Sequence, residues 1–322
     1  MKPSPDQQDM FGGPDAVEST SIVQPAAFAD DLVRLAHRQP KNVHYGTSSW
    51  SFPGWARIVY AQAYDTNRLS RYGLGAFSSH PLFSTVCVDR GFHQPVPAAD
   101  YKRYAESVPD DFRFIVKAYS GLTTFPDTAR GQRLGDPVFL DADYARRVVI
   151  DPIVEGLGAK LGGILLQFSP LGPAFTRTPG AFADRLGGFL GQLPGGVPYA
   201  VEVRDPEVLG PAYEAALIDT GVSHCPSVHP RMPPVDAQGR GSRRGPFVVR
   251  WMLHPTMEYS IAAQRYGPFD RMVDPDPVNR RRVVNVVADG LAEQRQVHLI
   301  VGNNAEGSAP FTILEVARAL AS

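Results

Sequence analysis

Short runs of apolar and β-branched residues alternate along this chain with longer segments whose apolar residues recur every three or four positions. Such alternation is typical of parallel strands joined by crossover helices. The short runs predict eight strands: Val43 to Ser48, Thr85 to Asp89, Phe112 to Ala118, Gly163 to Phe168, Tyr199 to Arg204, Val222 to Ser227, Phe247 to Trp251 and Val297 to Gly302. The longer segments predict helices: Asn67 to Phe77, Ala98 to Val108, Asp143 to Leu157, Gly180 to Leu193, Glu207 to Thr220, Val278 to Gln294 and Pro310 to Ala321.

This arrangement predicts the fold class. Eight parallel strands with interleaved helices over about 280 residues indicate an α/β protein with a single (β/α)8 TIM barrel. An open Rossmann-like sheet is the alternative, and the absence of a G-x-G-x-x-G motif after the first strand weakens it. We predict a barrel domain over residues 41–322. Residues 1–40 form a flexible extension with a possible short helix from Phe28 to His37.

Composition restricts the compartment and the partners. Of 322 residues, 43% are hydrophobic and 20% charged, and the formal net charge of −1 gives the whole chain no attraction for nucleic acid or anionic membrane. Cys87 and Cys225 each lie in a predicted strand, which favours two buried thiols over a disulfide. With neither a signal peptide nor an apolar run long enough for a membrane helix, we expect a cytoplasmic protein without a membrane partner.

Polar and aromatic residues are concentrated where the predicted strands end. In a barrel of this type the carboxyl ends of the strands and the loops after them form the active-site face. Glu202 and Arg204 are two residues apart, so both side chains point to one face of the fifth strand. The candidate site comprises Thr47, Trp50, Asp89, Phe92, His93, Lys117, Gln167, Glu202, Arg204, Arg250, Asn303, Asn304 and Glu306.

The charges in this set suggest the chemistry. Lys117, Arg204 and Arg250 would form a positive basin suited to a carboxylate or a phosphate. We predict a catalytic group of Glu202, Lys117 and Asp89, with Glu202 as general acid or base and the other members of the set binding the substrate. The alternative is that the cations neutralise Glu202 and Asp89 and have a structural role.

Residues at the strand ends also suggest two other kinds of site, for a metal and for an anion. Carboxylates and histidines at strand ends could hold zinc or manganese, but no H-E-x-x-H or C-x-x-C spacing supports a metal, and we expect none. The candidate metal ligands are Asp89, His93, Glu202, His224 and His254. No organic cofactor is specified by a motif. At the last helix, Ser308 is the predicted N-cap and Pro310 lies in the first turn, a setting that suits an anion.

Two long connections complete the predicted active-site face. Residues 119–140 lack a clear helical pattern, and the loop from His229 to Pro246 carries Arg231, Arg240, Arg243 and Arg244. Together with aromatic residues such as Trp50, Trp55 and Phe92, these arginines leave open a second function, the binding of single-stranded or damaged nucleic acid.

Five segments in order carry a family resemblance, from about Val43 onward. They are Tyr45-Gly46-Thr47-Ser48-Ser49-Trp50-Ser51-Phe52-Pro53-Gly54-Trp55, Phe112-Arg113-Phe114-Ile115-Val116-Lys117-Ala118, Gly163-Ile164-Leu165-Leu166-Gln167-Phe168, Ala200-Val201-Glu202-Val203-Arg204 and Asn303-Asn304-Ala305-Glu306-Gly307-Ser308-Ala309-Pro310. The chain thereby resembles the YecE-like family, domain of unknown function 72. The resemblance implies a TIM barrel, and it implies no established activity.

One stretch departs from the family pattern. Members typically read Val-Glu-Ile-Asn-Ser-Thr-Phe-Tyr after the second strand, whereas residues 86–93 here read Val-Cys-Val-Asp-Arg-Gly-Phe-His. A carboxylate is therefore missing at Cys87, and Asp89 replaces an amide. The first hypothesis remains an enzyme for a small anionic or sugar-like substrate. The second is a nucleic-acid-binding barrel, and the third is a family member that has lost its activity through these changes.

Overall fold

The computed structural model describes residues 22–126 and 138–321, and within these ranges one parallel sheet organises the chain. The strands in these ranges are β1 (Val43–Thr47), β2 (Phe83–Val88), β3 (Arg113–Lys117), β4 (Leu161–Gln167), β5 (Tyr199–Glu202), β6 (Ser223–His224), β7 (Ser227–Val228), β8 (Phe247–Trp251) and β9 (Val297–Val301). Their order in the sheet is β6-β5-β4-β3-β2-β1-β9-β8-β7. The predicted α/β class with parallel strands is confirmed.

The sixth predicted strand is divided in the structure, so the described ranges hold nine strands and not eight. Cys225 and Pro226 separate β6 from β7. Pro226 has no N–H group to donate, and proline therefore interrupts a ladder of hydrogen bonds. Cys225 N still donates to the Val201 carbonyl of β5 (2.8 Å), while the Pro226 carbonyl accepts from Arg250 N of β8 (3.0 Å).

Helices lie between the strands close to the predicted positions. They are α1 (Asp30–His37), α2 (Thr66–Tyr72), α3 (Leu74–Ser78), α4 (Arg90–His93), α5 (Ala98–Glu106), α6 (Ala142–Tyr144), α7 (Asp151–Leu157), α8 (Pro173–Thr176), α9 (Pro179–Leu190), α10 (Pro211–Thr220), α11 (Tyr259–Tyr266), α12 (Pro277–Ala292) and α13 (Ala309–Leu320). A π-helical segment, Ala145–Ile150, joins α6 to α7. Helix α11 was not predicted, because its sequence has several exposed apolar residues and no regular stripe. None of the helices in the described ranges has the length and apolar character needed to cross a bilayer.

The strands separate two hydrophobic clusters because successive side chains point to opposite faces. One large cluster fills the space between the sheet and its helices, and includes Phe114, Val116, Leu166 and Val201. A small cluster lies on the other, concave face of the sheet and consists of Cys87, Ile115, Leu165, Ala200, Cys225, Val248 and Ile300. Both cysteines are buried free thiols, as predicted.

Residues 22–40 lie against the outside of this framework. Ala26 N donates to the Val59 carbonyl (2.9 Å), and Val23 is buried. At the end of α1, Gln39 Nε2 donates to the Ala317 carbonyl of α13 (3.0 Å). The predicted flexible segment at residues 1–21 falls outside the described residues, and the same holds for residues 127–137 of the predicted long connection 119–140.

Candidate functional site

A layer of polar side chains lies directly above the small cluster on the concave face. Residues two positions apart on a strand share a face, so each polar residue follows an apolar residue of that cluster. The pairs are Cys87 and Asp89, Ile115 and Lys117, Leu165 and Gln167, Ala200 and Glu202, and Val248 and Arg250. The carboxyl ends of neighbouring parallel strands therefore bring the predicted polar residues together.

Glu202 is at the centre of this polar layer. Its side chain is fully buried, and its two carboxylate oxygens form ion pairs with Arg204 Nη1 and Arg250 Nη1. Arg250 Nη1 also donates to Gln167 Oε1 (2.7 Å), and Arg204 Nη1 donates to Ser227 Oγ (2.9 Å). One carboxylate thus holds two guanidinium groups next to each other, one from the segment directly after β5 and one from β8.

The surroundings of Glu202 keep it ionised. Burial by itself would raise the pKa of this carboxyl group, but Arg204 and Arg250 beside it, with Lys117, lower the pKa to about 2. The pKa of Arg250 is raised, because the neighbouring Glu202 carboxylate outweighs the effect of burial. A carboxylate with so low a pKa is a weak base and carries no proton to donate near neutral pH. The geometry therefore favours an electrostatic role for Glu202.

Lys117 is the third cation of the layer. Its Nζ lies 3.5 Å from Asp89 Oδ1 and 4.3 Å from the centre of the Phe92 ring. Cys87 Sγ donates to the same Asp89 oxygen (3.4 Å). Lys117 is buried, and its charge is in contact with one carboxylate, that of Asp89, and with the face of one aromatic ring, that of Phe92.

A cavity of about 470 Å³ opens above the polar layer. Its lining includes seven of the predicted site residues: Asp89, Lys117, Gln167, Arg204, Arg250, Asn303 and Asn304. Residues that were not in the predicted set also line it: Ser48, Phe52, His229, Met252, Leu253, Tyr259, Ala263, Phe269 and Gly302. The volume falls within the range of roughly 300–1,000 Å³ that is usual for small-molecule sites.

Other predicted residues do not line this cavity. Thr47 Oγ1 donates to the Ser49 carbonyl (2.7 Å), and Trp50 Nε1 donates to the Leu69 carbonyl (3.0 Å). His93 is exposed at the end of α4. Phe92 lies beneath Lys117 Nζ, and Glu202 is fully buried and pairs with the two arginines that line the cavity.

Glu306 is also outside the cavity lining and is buried. Its carboxylate pairs with Arg280 and accepts from Asp276 N (2.6 Å), while its carbonyl accepts from Val273 N (2.7 Å). These contacts join the loop after β9 to the start of α12. The structure thus gives Glu306 a role in holding the loop, where the sequence suggested substrate binding.

The two asparagines differ in their contacts. Asn303 Oδ1 accepts from Trp55 Nε1 (3.2 Å) and from Ala309 N (2.9 Å), at the first residue of α13. Ser308 occupies the N-cap position, yet its side chain makes no capping hydrogen bond, so the predicted Ser308 cap is replaced by Asn303. Asn303 Nδ2 and Asn304 Oδ1 are buried and have no hydrogen-bond partner in the part of the chain that the structure describes.

His229 is a site residue that the sequence did not single out. Burial, with the nearby charge of Arg204, lowers the pKa of this imidazole to about 4, so it is neutral at neutral pH. Arg231 N donates to His229 Nδ1 (3.2 Å), which leaves the proton of the neutral ring on Nε2. His229 begins the long loop after β7, and only its position directly after a strand could have indicated its role.

The remaining candidates lie apart from one another. His224 Nδ1 is 2.9 Å from Tyr213 Oη, and His254 Nδ1 is 2.9 Å from Thr256 Oγ1. Among residues 22–126 and 138–321, no group of three or more His, Cys, Asp or Glu side chains is placed to hold a metal ion. In the loop from His229 to Pro246, Arg240 pairs with Asp289 (2.5 Å) and Glu293 (3.0 Å) of the α12 region.

Comparison with known proteins shows that the chain is similar to members of one family. The family model described as "Protein of unknown function DUF72" matches residues 44–322. The curated UPF0759 protein YunF of Bacillus subtilis (strain 168) is 31% identical over 120 residues, which are 36% of this chain and 38% of that protein. The match therefore spans about two fifths of the curated relative.

Solved structures show the same fold at low sequence identity. A DUF72 family protein of Enterococcus faecalis V583 is 17% identical with a TM-score of 0.58, over 86% of this chain and 95% of that chain. A DUF72 family protein of Thermotoga maritima MSB8 is 18% identical with a TM-score of 0.58, over 87% of this chain and 99% of that chain. These comparisons confirm the resemblance to domain of unknown function 72 that the five sequence segments indicate.

Proposed function

We propose that this chain, which belongs to the DUF72 family of proteins of unknown function, binds and acts on a small anionic molecule in the cavity above β3, β4, β5 and β8. The observation that carries the proposal is the convergence of three cations, Lys117, Arg204 and Arg250, on one cavity of about 470 Å³. Buried cations are costly unless they are paired, and their grouping at one point is best explained by a negatively charged ligand.

The balance of charge supports this proposal. Within the described residues of the polar layer, three cations face two carboxylates, Asp89 and Glu202. The five charged side chains of this layer therefore carry a net charge of +1, because Glu202 is shared by two arginines. Arg204 uses Nη1 for Glu202 and Ser227, and the described residues offer no partner for its Nε and Nη2. A planar guanidinium with free donors can bind a carboxylate or a phosphate through two hydrogen bonds.

In this proposal Glu202 positions the arginines and does not transfer a proton. Both of its oxygens form ion pairs, and its pKa of about 2 keeps it charged near neutral pH. His229, with its proton on Nε2, is a neutral hydrogen-bond donor at the cavity wall. The groups that remain to exchange protons with a ligand are Asp89 and Lys117, the other two members of the predicted catalytic group.

The departure from the family pattern after β2 is compatible with a working site. Cys87 in β2 and Asp89 directly after this strand are two residues apart and point to the same side of the sheet, and Asp89 Oδ1 lies 3.5 Å from Lys117 Nζ. A carboxylate is therefore supplied two residues after the position at which it is missing. We prefer a functional site to the alternative of a degenerate family member for this reason.

We further infer that the sheet is a closed (β/α)8 barrel in which β6 and β7 are two halves of one strand. Cys225 and Pro226, the two residues between them, are hydrogen-bonded to β5 and to β8. The ends of the ordered sheet are therefore joined by two residues of continuous chain. The hydrogen bond from Arg204 Nη1, after β5, to Ser227 Oγ of β7 (2.9 Å) crosses this junction and supports closure around the cavity.

Inorganic phosphate, sulfate and acetate are expected to bind to the purified chain, and to bind at least about tenfold more weakly to the Arg204→Gln variant, because a charge-assisted contact is worth about 1.5–3 kcal/mol. Isothermal titration calorimetry at low ionic strength measures the affinity of the parent chain and of the variant for each anion. Arg177→Gln, outside the cavity lining, is the matched control and should bind as the parent does. Equal affinity of the Arg204→Gln variant would contradict the proposal.

The nucleic-acid alternative leads to the opposite expectation for oligonucleotides. Arg240 is paired with Asp289 and Glu293, and Arg243 lies 3.5 Å from Glu293, so this part of the loop presents neutralised arginines. We expect no binding of single-stranded DNA or RNA between 50 and 200 mM salt in a fluorescence anisotropy titration. Binding that weakens steeply with salt would show that phosphate contacts are made and would favour the alternative.

A further inference from the structure

We infer that the ligand of this cavity is a carboxylate that carries an aromatic or other apolar group. The inference rests on the proposed function and adds the chemical class of the molecule. It depends on two features of the cavity: its lining includes apolar residues that pack together, which we call the apolar wall, and the polar layer has one positive charge more than it has negative charges.

Most of the apolar lining comes from segments that carry none of the three cations, and only Met252 and Leu253 share a segment with one of them, Arg250. Phe52 follows β1, Met252 and Leu253 follow β8, and Ala263 and Phe269 come from α11 and the loop after it. Of the three cations, Lys117 belongs to β3, Arg250 belongs to β8, and Arg204 is the second residue after β5. A molecule in the cavity therefore meets charge at the strand ends and hydrocarbon on the side of α11.

The apolar wall is fixed in place. Phe52 and Phe269 meet edge to face with their ring centres 5.8 Å apart, and the Phe52 ring lies 4.7 Å from that of Trp55. A Cβ atom on Gly54 would overlap with the Pro268 carbonyl, so glycine is required for this close approach. Phe269 is held at φ +75°, and its N–H donates to the Tyr266 carbonyl (2.8 Å). Its ring therefore has a defined place beside the cavity.

A small hydrophobic cluster of its own supports this wall. Leu253, Ala262 and Tyr266 are buried together, and Met257, Phe269 and Val273 pack against them. The cluster is separate from the large core between the sheet and the helices. Two of its members, Leu253 and Phe269, also line the cavity, where an apolar group of the ligand would gain contact with them.

The charge of the polar layer favours a carboxylate over a phosphate monoester. In the polar layer, three cations and two carboxylates give a net charge of +1, which the carboxylate of a ligand would neutralise. A phosphate monoester carries about −1.5 to −2 charges near neutral pH and would leave negative charge in excess beside Asp89 and Glu202. The free Nε and Nη2 donors of Arg204 also match the two oxygens of a carboxylate.

The test uses four probes: acetate, phenylacetate, inorganic phosphate and phenyl phosphate. Phenylacetate is expected to bind at least about tenfold more tightly than acetate, because the phenyl ring is removed from water against the apolar wall. It is also expected to bind more tightly than phenyl phosphate. Calorimetry at one pH and one low ionic strength, with the unmodified chain, gives all four affinities.

Two variants locate the added affinity. Phe269→Asn keeps a residue type that tolerates positive φ but removes the ring, and the ratio of phenylacetate affinity to acetate affinity should fall towards one in this variant. Tyr72→Asn, at an exposed ring outside this cavity, is the matched control and should keep the ratio of the parent chain. Thermal unfolding of each variant confirms that it is folded before affinities are compared.

The outcomes separate the inference from the proposed function. Equal affinity for acetate and phenylacetate, with both dependent on Arg204, would overturn the inference and leave the proposed function standing. Tighter binding of phenyl phosphate than of phenylacetate would overturn the choice of a carboxylate. If none of the four anions binds, both the inference and the proposed function are wrong.

Discussion

Replacing Glu202 by glutamine is expected to lower the free energy of unfolding by about 3–5 kcal/mol, the usual cost of removing one partner from a buried ion pair. The substitution keeps the shape of the side chain and removes its charge. Arg204 and Arg250 would then lie next to each other without the carboxylate that holds both of them. The same change should also weaken anion binding, because the two guanidinium groups would lose their fixed positions.

Urea denaturation of the parent and the variant measures this loss directly. Glu207→Gln, at an exposed glutamate a few residues along the chain, is the matched control and should change the free energy of unfolding by less than about 0.5 kcal/mol. A second variant, Glu202→Gln with Arg250→Met, should recover part of the loss because it removes one unpaired charge. An unchanged stability of Glu202→Gln, together with a loss of turnover, would favour the acid-base role that the sequence suggested.

The free energy of unfolding is also expected to fall by at least about 5 kcal/mol between pH 7 and pH 5, because His80, His224 and His298 are buried without charge and His229 at the cavity adds to the same effect. Burial lowers the pKa of His80 to about 3 and of His224 to about 4, and it lowers the pKa of His298 well below its ordinary value. The unfolded chain takes up protons on these residues below about pH 6.5, whereas the folded chain does not. Stability is therefore complete above that pH and is lost as the pH falls.

Denaturation curves give the slope of the free energy of unfolding against pH. They are measured at half-unit steps from pH 7 to pH 5 and at constant ionic strength. His298→Asn should reduce the slope by up to about 1.4 kcal/mol per pH unit, the contribution of one proton. His93→Asn, at an exposed histidine, is the matched control and should leave the slope unchanged. A profile that is flat over this range would show that the three imidazoles are not kept neutral by burial. Glu202 contributes little in this window, because the stability from its lowered pKa is lost only as the pH falls from its ordinary value of 4.5 towards about 2.

Much of the site could be predicted from sequence because parallel strands obey a simple rule. Side chains two apart share a face and strand ends meet at one edge, so the positions of Lys117, Gln167 and Arg250 followed from the strand assignments. The pairing of Glu202 with Arg204 followed from the same spacing. The structure adds that Glu202 holds a second arginine, from a strand that lies 48 residues further along the chain.

The rest of the site could not be predicted, because it depends on contacts between distant segments. Asn303 caps α13 and accepts from Trp55 Nε1, and neither contact has a local sequence signal. His229 becomes a site residue through its burial beside Arg204. The apolar wall on α11 was missed because Tyr259 and Ile261 are exposed and the helix has no regular apolar stripe. In each case the role is set by neighbours that periodicity does not reveal.

The division between β6 and β7 affects how a ring of strands can be completed. Around a closed sheet, every neighbouring pair contributes a stagger, and the sum must return each strand to its own starting level. Here β6 takes its alignment from β5, and β7 takes its alignment independently from β8. Cys225 and Pro226 can absorb the difference between the two alignments without altering either neighbour. In the closed barrel that we propose, the circumference would thus be adjusted at Cys225 and Pro226, directly before Ser227 and its contact with Arg204.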